Sequence, residues 1–229
     1  MPEAQEDGRV VVVIPARNEG ESVARVAQAA RLYSDSVIVV DGHSTDGSID
    51  LVRKLGIAVV ADNGLGKGEA LRCGFAAASG EFVVTMDADC SHEPADIPRL
   101  LEPLRTRQAD LVIGCRMRGG SDEFAGGWDL FVRLWGNNVL TMVINTRFGV
   151  RLTDSQNGFR AARLSMLRSL DLKEDRHAIE LEMVMKALKK GYRVEQVPSH
   201  EYCRTLGKSS LSIVRQTPRF LWCLLSNLS

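Results

Sequence analysis

The sequence predicts an α/β fold: one domain with a mainly parallel sheet flanked by helices, followed by an amphipathic helical tail. Three observations carry this expectation. Short apolar, largely β-branched runs recur at residues 10–14, 37–40, 57–60, 82–84 and 111–113, as expected of strands buried on both faces. Stretches with helical character separate them, so the strands are joined by helical crossovers, which are right-handed. Polar clusters follow three of the runs directly, at the carboxyl ends of strands where open α/β sheets bind ligands.

The elements follow in order. The run at 10–14 leads into a helix over 21–32, and that at 37–40 into a helix over 48–55, with Thr45-Asp46-Gly47 as a start signal. After the short strand at 57–60, a glycine-rich turn at 64–68 opens a helix over 68–78. The strand at 82–84 precedes a helix over 95–107, and a fifth strand ends near Arg116. The Gly119-Gly120 and Gly126-Gly127 pairs mark a loop, and residues 128–144 read as helical. Leu181, Val184, Met185 and Leu188 share one face of a helix over 179–190 that Gly191 ends. A strand at 192–197 closes the set. The domain is expected to span residues 9–208, with the helical tail at 209–229.

Composition excludes several classes. Of 229 residues, 45% are hydrophobic and 25% charged, an ordinary globular balance. Lys plus Arg and Asp plus Glu both number 29, so no net charge argues for nucleic acid as a partner. Five cysteines, an odd number with no C-x-x-C pair, fit a reducing, cytoplasmic compartment. The acidic first nine residues lack an apolar signal region, and no run of about 18 apolar residues predicts a membrane span.

The chemistry concentrates on the rim. Asp87-Ala88-Asp89 puts two carboxylates at the end of a buried strand, where they repel unless a cation intervenes. Hard oxygen ligands suit Mg²⁺ or Mn²⁺, ions that also grip a diphosphate. Against this stands a solvated or helix-capping acidic loop. Gly64-Leu65-Gly66-Lys67-Gly68 opens a helix, so its backbone N–H groups and Lys67 are candidates for a phosphate or a base; the spacing is not that of a Walker loop. Asp154–Arg160, with sequence DSQNGFR, reads as a polar turn or as part of the site. Glu180 and Glu182, two apart on a helix, point in different directions, so at most one belongs to the site. Arg204, Lys208 and Ser209 form a basic stretch suited to phosphate. The four histidines show no metal-ligand spacing, and only His92, three residues beyond Asp89, invites a test. Cys90 has no basic activator and is not expected to be a nucleophile.

In order, VVVIPARNEGESV, VIVVDGHSTDGS, GKGEALRCGFAAASGEFVVTMDADCSHEP, DSQNGFRA and the R-x-x-G-K-S that begins at Arg204 resemble family 2 glycosyltransferases with the Rossmann-like GT-A fold. The dolichyl-phosphate mannosyltransferase-like and bacterial polyprenyl-phosphate sugar transferases are the nearest in pattern. The resemblance implies a metal-dependent, inverting transfer of a hexose from a GDP- or UDP-sugar to a polyprenyl or dolichyl phosphate. It implies that Pro15, Ala16, Arg17 and Glu19 line the base pocket, that Asp41 holds base or ribose, and that Lys67 lies nearby. Asp87 and Asp89 would bind ribose and the metal-bound diphosphate, and Arg204 and Lys208 would close over that diphosphate. Arg116 would meet an acceptor phosphate, with Arg133 as a second. Ser91 stands where some relatives have a metal-binding Gln, which leaves the third metal ligand open. For a hydroxyl acceptor, Asp154 or Glu182 would be the general base.

Two rival classes remain. A sugar-phosphate nucleotidyltransferase would normally show a glycine-rich loop with Arg and Lys after the first strand, where this chain has PARNEG. A non-catalytic nucleotide-sugar-binding subunit would not need the intact Asp87 and Asp89. The tail, with Phe220, Leu221, Trp222, Leu224 and Leu225 alongside Arg215 and Arg219, is expected either to lie at the cytoplasmic membrane face or to pack on the core or on a second copy in a homo-oligomer.

Overall fold

The computed structural model describes residues 8–122, 127–203 and 213–228. Its centre is a seven-stranded sheet of β1 (Val10–Ala16), β2 (Ser36–Asp41), β3 (Ala58–Ala61), β4 (Phe82–Thr85), β5 (Leu111–Cys115), β6 (Arg160–Arg163) and β7 (Val194–Pro198). Their spatial order is β3-β2-β1-β4-β6-β5-β7. All neighbours pair in parallel except at β6, which runs antiparallel to both β4 and β5. The sheet is thus mainly parallel, as the alternating runs predict.

Nine helices cover it among the described residues: α1 (Ser22–Ala30), α2 (Ser48–Lys54), α3 (Lys67–Ala77), α4 (Ile97–Arg105), α5 (Arg116–Gly119), α6 (Gly127–Phe148), α7 (Leu164–Ser169), α8 (Ile179–Lys189) and α9 (Ile213–Leu228). Because side chains alternate across a strand, β1 serves two cores. Val11 and Val13 join Leu71, Phe75, Leu181 and Met185 on one face. Val10, Val12 and Ile14 join Val23, Val26, Leu100 and Leu104 on the other.

Two elements differ from the sequence-based expectation. Strand β6, with sequence RAAR, has no β-branched residue, yet its position between β4 and β5 supplies a full ladder on both sides; tertiary pairing overrides weak strand propensity. Helix α7 follows it at once and buries Leu164, Met166 and Leu167. Helix α9 is present and packs on the domain: Cys223 and Leu224 are buried, and Arg219 Nε lies 2.6 Å from Glu174 Oε2. Leu221, Trp222 and Leu225 face outward. No helix of the described residues is long and apolar enough to cross a membrane.

The topology fixes the rim. Ala16 is opposite Asp41, and Val13 is opposite Thr85, so the segments leaving β1, β2 and β4 emerge side by side. Antiparallel β6 starts where its parallel neighbours end, with Arg160 opposite both Thr85 and Ile113. That single reversal brings residues 154–159 to the same rim.

Candidate active site

The loops after β1 and β2 are tied to each other. Ser44 Oγ accepts from the Asn18 amide at 3.0 Å, Asn18 Oδ1 accepts from the Thr45 amide at 2.8 Å, and Asp46 Oδ2 accepts from the Gly20 amide at 2.9 Å. Asn18 and His43 adopt positive φ, at 55° and 60°, a conformation that L-residues hold only when the surroundings require it. Pro15 and Glu19 are half-buried, Ala16 is buried and Arg17 is exposed along this edge. Asp41 ends β2 half-buried, and its Oδ1 accepts from the Ser44 amide at 2.9 Å.

The Asp87–Asp89 turn is held from below. The Asp87 amide donates to His92 Nδ1 at 3.1 Å, which leaves the ring proton on Nε2, directed at Asn157 Oδ1 at 3.1 Å. Asn157 Nδ2 donates to Gly114 O at 2.7 Å, and His92 stacks on Phe159 with centroids 5.0 Å apart. Both ring nitrogens of His92 are therefore occupied, and it acts as a strut under the turn. Asp89 is buried, and its Oδ1 accepts from the Ser91 amide at 3.0 Å.

Lys67, the first residue of α3, reaches across the rim. Its Nζ lies 2.6 Å from Asp87 Oδ1 and 2.8 Å from Glu180 Oε1. Burial opposes charge on both Lys67 and Asp87, but their mutual attraction wins: the Asp87 carboxyl sits well below its ordinary range and the Lys67 ammonium above its own. A Cβ at Gly158 would fall 2.9 Å from Lys67 Nζ and 3.1 Å from Asp87 Oδ2, so a larger residue there would make the ends of both side chains shift. Nearby His177 is pushed down by burial and by the Lys67 charge, which favours its neutral form.

Two amides in the first turn of α3 are taken up within the fold. Those of Gly68 and Glu69 donate to Asp175 O at 2.9 and 3.1 Å. Glu69, buried in the first turn, instead accepts from Asn63 and Leu65 and so folds the preceding loop back on the helix. Of the glycine-rich turn, only the Lys67 side chain joins the acidic cluster.

A second cluster centres on Arg116. Its Nε is 2.6 Å from Asp154 Oδ2, its Nη2 is 3.0 Å from Asp154 Oδ1, and its Nη1 is 3.2 Å from Glu201 Oε1. Asp154 is fully buried, and Asn137 Nδ2 also donates to it at 3.3 Å. Burial disfavours the Asp154 charge, but the Arg116 fork holds the carboxyl below its usual range. Beneath lies Arg160, 1% exposed, which donates to three backbone carbonyls, Asn157, Glu180 and Ser155, at 2.7 to 2.8 Å. Burial pushes its guanidinium down to about 10 despite the Glu180 and Asp154 carboxylates.

The two helical glutamates separate as their spacing requires. Glu180 joins Lys67 on the rim. Glu182 accepts from the Lys173 and Glu174 amides at 3.0 and 2.8 Å and pairs with Lys186 at 2.7 Å, fastening the loop before α8. Both are buried, so the sequence offers no signal for which one reaches the site; only the placement of α8 does. Glu201, absent from the sequence-derived candidates, likewise enters through pairing of distant segments. Arg204 and Lys208 lie outside the described residues, as does the side chain of Arg133.

Set beside known proteins, residues 11–172 match the family described as Glycosyl transferase family 2. An undecaprenyl-phosphate mannosyltransferase of Micrococcus luteus is 32% identical, with 89% of this chain and 88% of that protein covered. Glycosyltransferase AglJ of Haloferax volcanii is 31% identical over 88% of this chain, which spans 65% of AglJ, just under two thirds of its length. Among solved structures, the glucosyl-3-phosphoglycerate synthase of Mycobacterium tuberculosis, crystallised with Mn²⁺, uridine diphosphate and glucosyl-3-phosphoglycerate, superposes with a TM-score of 0.77. It is 24% identical, and the match covers 97% of this chain and 80% of that one, a likeness of fold.

Proposed function

This chain belongs to glycosyl transferase family 2, and from that premise we propose that it transfers a hexose from a UDP- or GDP-sugar to a polyprenyl phosphate, inverting the anomeric carbon. The observation that carries the choice of acceptor is the state of the carboxylates proposed as bases. A hydroxyl acceptor needs a general base. Asp154 is locked in the Arg116 fork, and Glu182 is taken up by the Lys173 and Glu174 amides and by Lys186. A phosphate acceptor is already anionic near neutral pH and needs neither. The relative named an undecaprenyl-phosphate mannosyltransferase supports the same acceptor class.

A divalent cation fits the rim. The Lys67 ammonium against Asp87 shows that this carboxylate already draws a cation. Asp87 and Asp89 supply hard oxygens, and Mg²⁺ is commonly held by one or two carboxylates together with substrate phosphates. When bound, the cation would neutralise charge on the leaving diphosphate.

In this reading Pro15, Ala16, Arg17, Glu19 and Asp41 hold the nucleoside, and Lys67, Arg204 and Lys208 face the diphosphate. The acceptor phosphate oxygen attacks the anomeric carbon from the face opposite the diphosphate. The C–O bond to the diphosphate breaks, and its electron pair leaves with the nucleoside diphosphate. Arg133 is assigned to the acceptor. Arg116 lies on the acceptor side with its guanidinium already shared by Asp154 and Glu201, so its part is to hold the ends of β5 and β7 and residues 154–157 in register. Exposed Leu221, Trp222 and Leu225 on α9, with Trp135 and Met142 on neighbouring α6, support contact with the membrane surface where such an acceptor resides.

Turnover decides the reaction. With Mn²⁺ and a UDP- or GDP-hexose, polyprenyl phosphate is expected to yield a glycosyl phospholipid of inverted configuration and free nucleoside diphosphate. Product only from hydroxyl acceptors overturns the acceptor class, and pyrophosphate release from a sugar phosphate plus NTP overturns the transferase reading. A separate expectation concerns the nucleoside. Asp41→Ala weakens UDP or GDP binding by about 10- to 100-fold, the loss of a hydrogen bond to a charged group. Calorimetry showing unchanged affinity for both would leave Asp41 as a cap for the Ser44 loop alone.

A further inference from the structure

Lys67 stands between two carboxylates from different elements. Asp87 follows β4 and Glu180 opens α8, and the ammonium bridges them at 2.6 and 2.8 Å. The two acceptors are not equivalent. Glu180 is 4% exposed, and its Oε2 is buried with no hydrogen-bond partner among the described residues. A buried carboxylate oxygen without a donor is costly, and an ammonium carries three N–H groups. The Glu180 side of the bridge can therefore take more of Lys67 than it now holds. Asp87 is also the carboxylate proposed for the divalent cation, and an ammonium and a metal ion cannot share its Oδ1 at such range without strong repulsion.

We infer that Lys67 is a resident counter-ion that makes cation binding at Asp87 conditional on nucleotide. Without nucleotide it neutralises Asp87 and keeps metal away. When nucleoside diphosphate and metal arrive together, Lys67 passes to both oxygens of Glu180 and to the phosphate oxygens, and Asp87 Oδ1 is released. Glu180 is thus a positioning residue that acts through Lys67. Gly158 permits the exchange, because a Cβ there would crowd both Nζ and Asp87 Oδ2. Metal and nucleotide affinities are then linked, each raising the other by the same factor.

The inference rests on the metal-and-nucleotide reading above, and Mn²⁺ titration followed by electron paramagnetic resonance, with and without UDP or GDP, tests the two separately. Lys67→Met is expected to tighten Mn²⁺ binding to the nucleotide-free protein by about tenfold, because the competing cation is gone. Glu180→Gln is expected to weaken it several-fold, because Lys67 then has only Asp87. Loss of a nearby charge alone would also give these opposite signs, so the deciding comparison is the gain in Mn²⁺ affinity on adding UDP or GDP, which is expected to shrink in Lys67→Met and to persist undiminished if Lys67 does not gate the site. Folded Lys67→Met with wild-type or weaker Mn²⁺ affinity overturns the inference while leaving the metal reading intact, as does Glu180→Gln with wild-type or tighter affinity. Wild-type protein that takes up no Mn²⁺ even with nucleotide overturns both. Should Lys67→Met fail to fold, the Glu180→Gln titration decides alone on the same criterion.

Discussion

Asp89→Asn is expected to lower kcat by about 10²- to 10³-fold, the scale of removing one stabilising group for charge that develops in the transition state. Its thermal midpoint should stay within a few degrees of wild type. The physical reason lies in what the substitution spares. Asp89 is buried, and its Oδ1 accepts the Ser91 amide at 3.0 Å; asparagine keeps an oxygen for that bond and preserves the turn. What it removes is one of two negative charges separated by a single residue, which also relieves their repulsion. The defect therefore falls on cation and diphosphate binding, not on folding. Steady-state turnover over a range of Mn²⁺, read beside thermal unfolding, separates the two. Near-normal turnover in the variant, or full wild-type activity in excess chelator, would falsify the metal assignment.

Arg116→Ala should show the opposite profile, a large loss of stability. Removing the fork leaves Asp154, fully buried, and Glu201 without their cation. Stranding a buried charge typically costs about 3–5 kcal/mol, much of a domain's net stability. The sign of its pH dependence follows from Asp154. In the wild type its pKa is depressed below the unfolded value of 3.8, so the pair's stabilisation is present above that value and is lost as pH falls through the folded pKa. In the variant, burial without Arg116 raises the Asp154 pKa, so protonation becomes stabilising relative to neutral pH. The gap between variant and wild type should narrow as pH drops from 7 toward 4. Urea unfolding at several pH values reads this directly. Arg116→Lys should recover part of the loss, since an ammonium cannot reproduce the two-point contact. A stable variant whose KM for polyprenyl phosphate rises by about 10- to 100-fold would instead place Arg116 on the acceptor phosphate.

Much of this site was legible in the sequence because its first half is built from local signals. Pro15–Glu19, Asp41 and Asp87 each follow a β-branched run, and in a parallel sheet all such positions fall on one rim. The pairing of Ala16 with Asp41 and of Val13 with Thr85 follows that rule. Lys67 stands out because it opens a helix after a glycine-rich turn, but the sequence does not show where the neighbouring amides go: Asp175, more than 100 residues away, takes those of Gly68 and Glu69. His92 is marked in the sequence only by its nearness to Asp89, and its role depends on Asn157, 65 residues distant.

The sequence by itself determined the α/β class, the order of the parallel strands' helical crossovers and the rim to which the Asp87–Asp89 turn belongs. Hydrophobic period and strand-end chemistry are properties of short windows, and burial on both faces of a strand leaves a mark that needs no partner to be read. Only the tertiary structure decided what meets what across the rim. Strand β6 has no strand-like composition and is held by its neighbours, and its reversed direction is what carries Asp154, Asn157 and Gly158 to the site. Glu180 rather than Glu182 reaches Lys67 because of how α8 is set against the sheet, since both glutamates are buried and either face of the helix fits the local pattern. Arg116 meets Asp154 and Glu201 across 38 and 85 residues of chain. Ion pairs of that separation are set by packing of the whole domain, which fixes both ends before the charges come within reach.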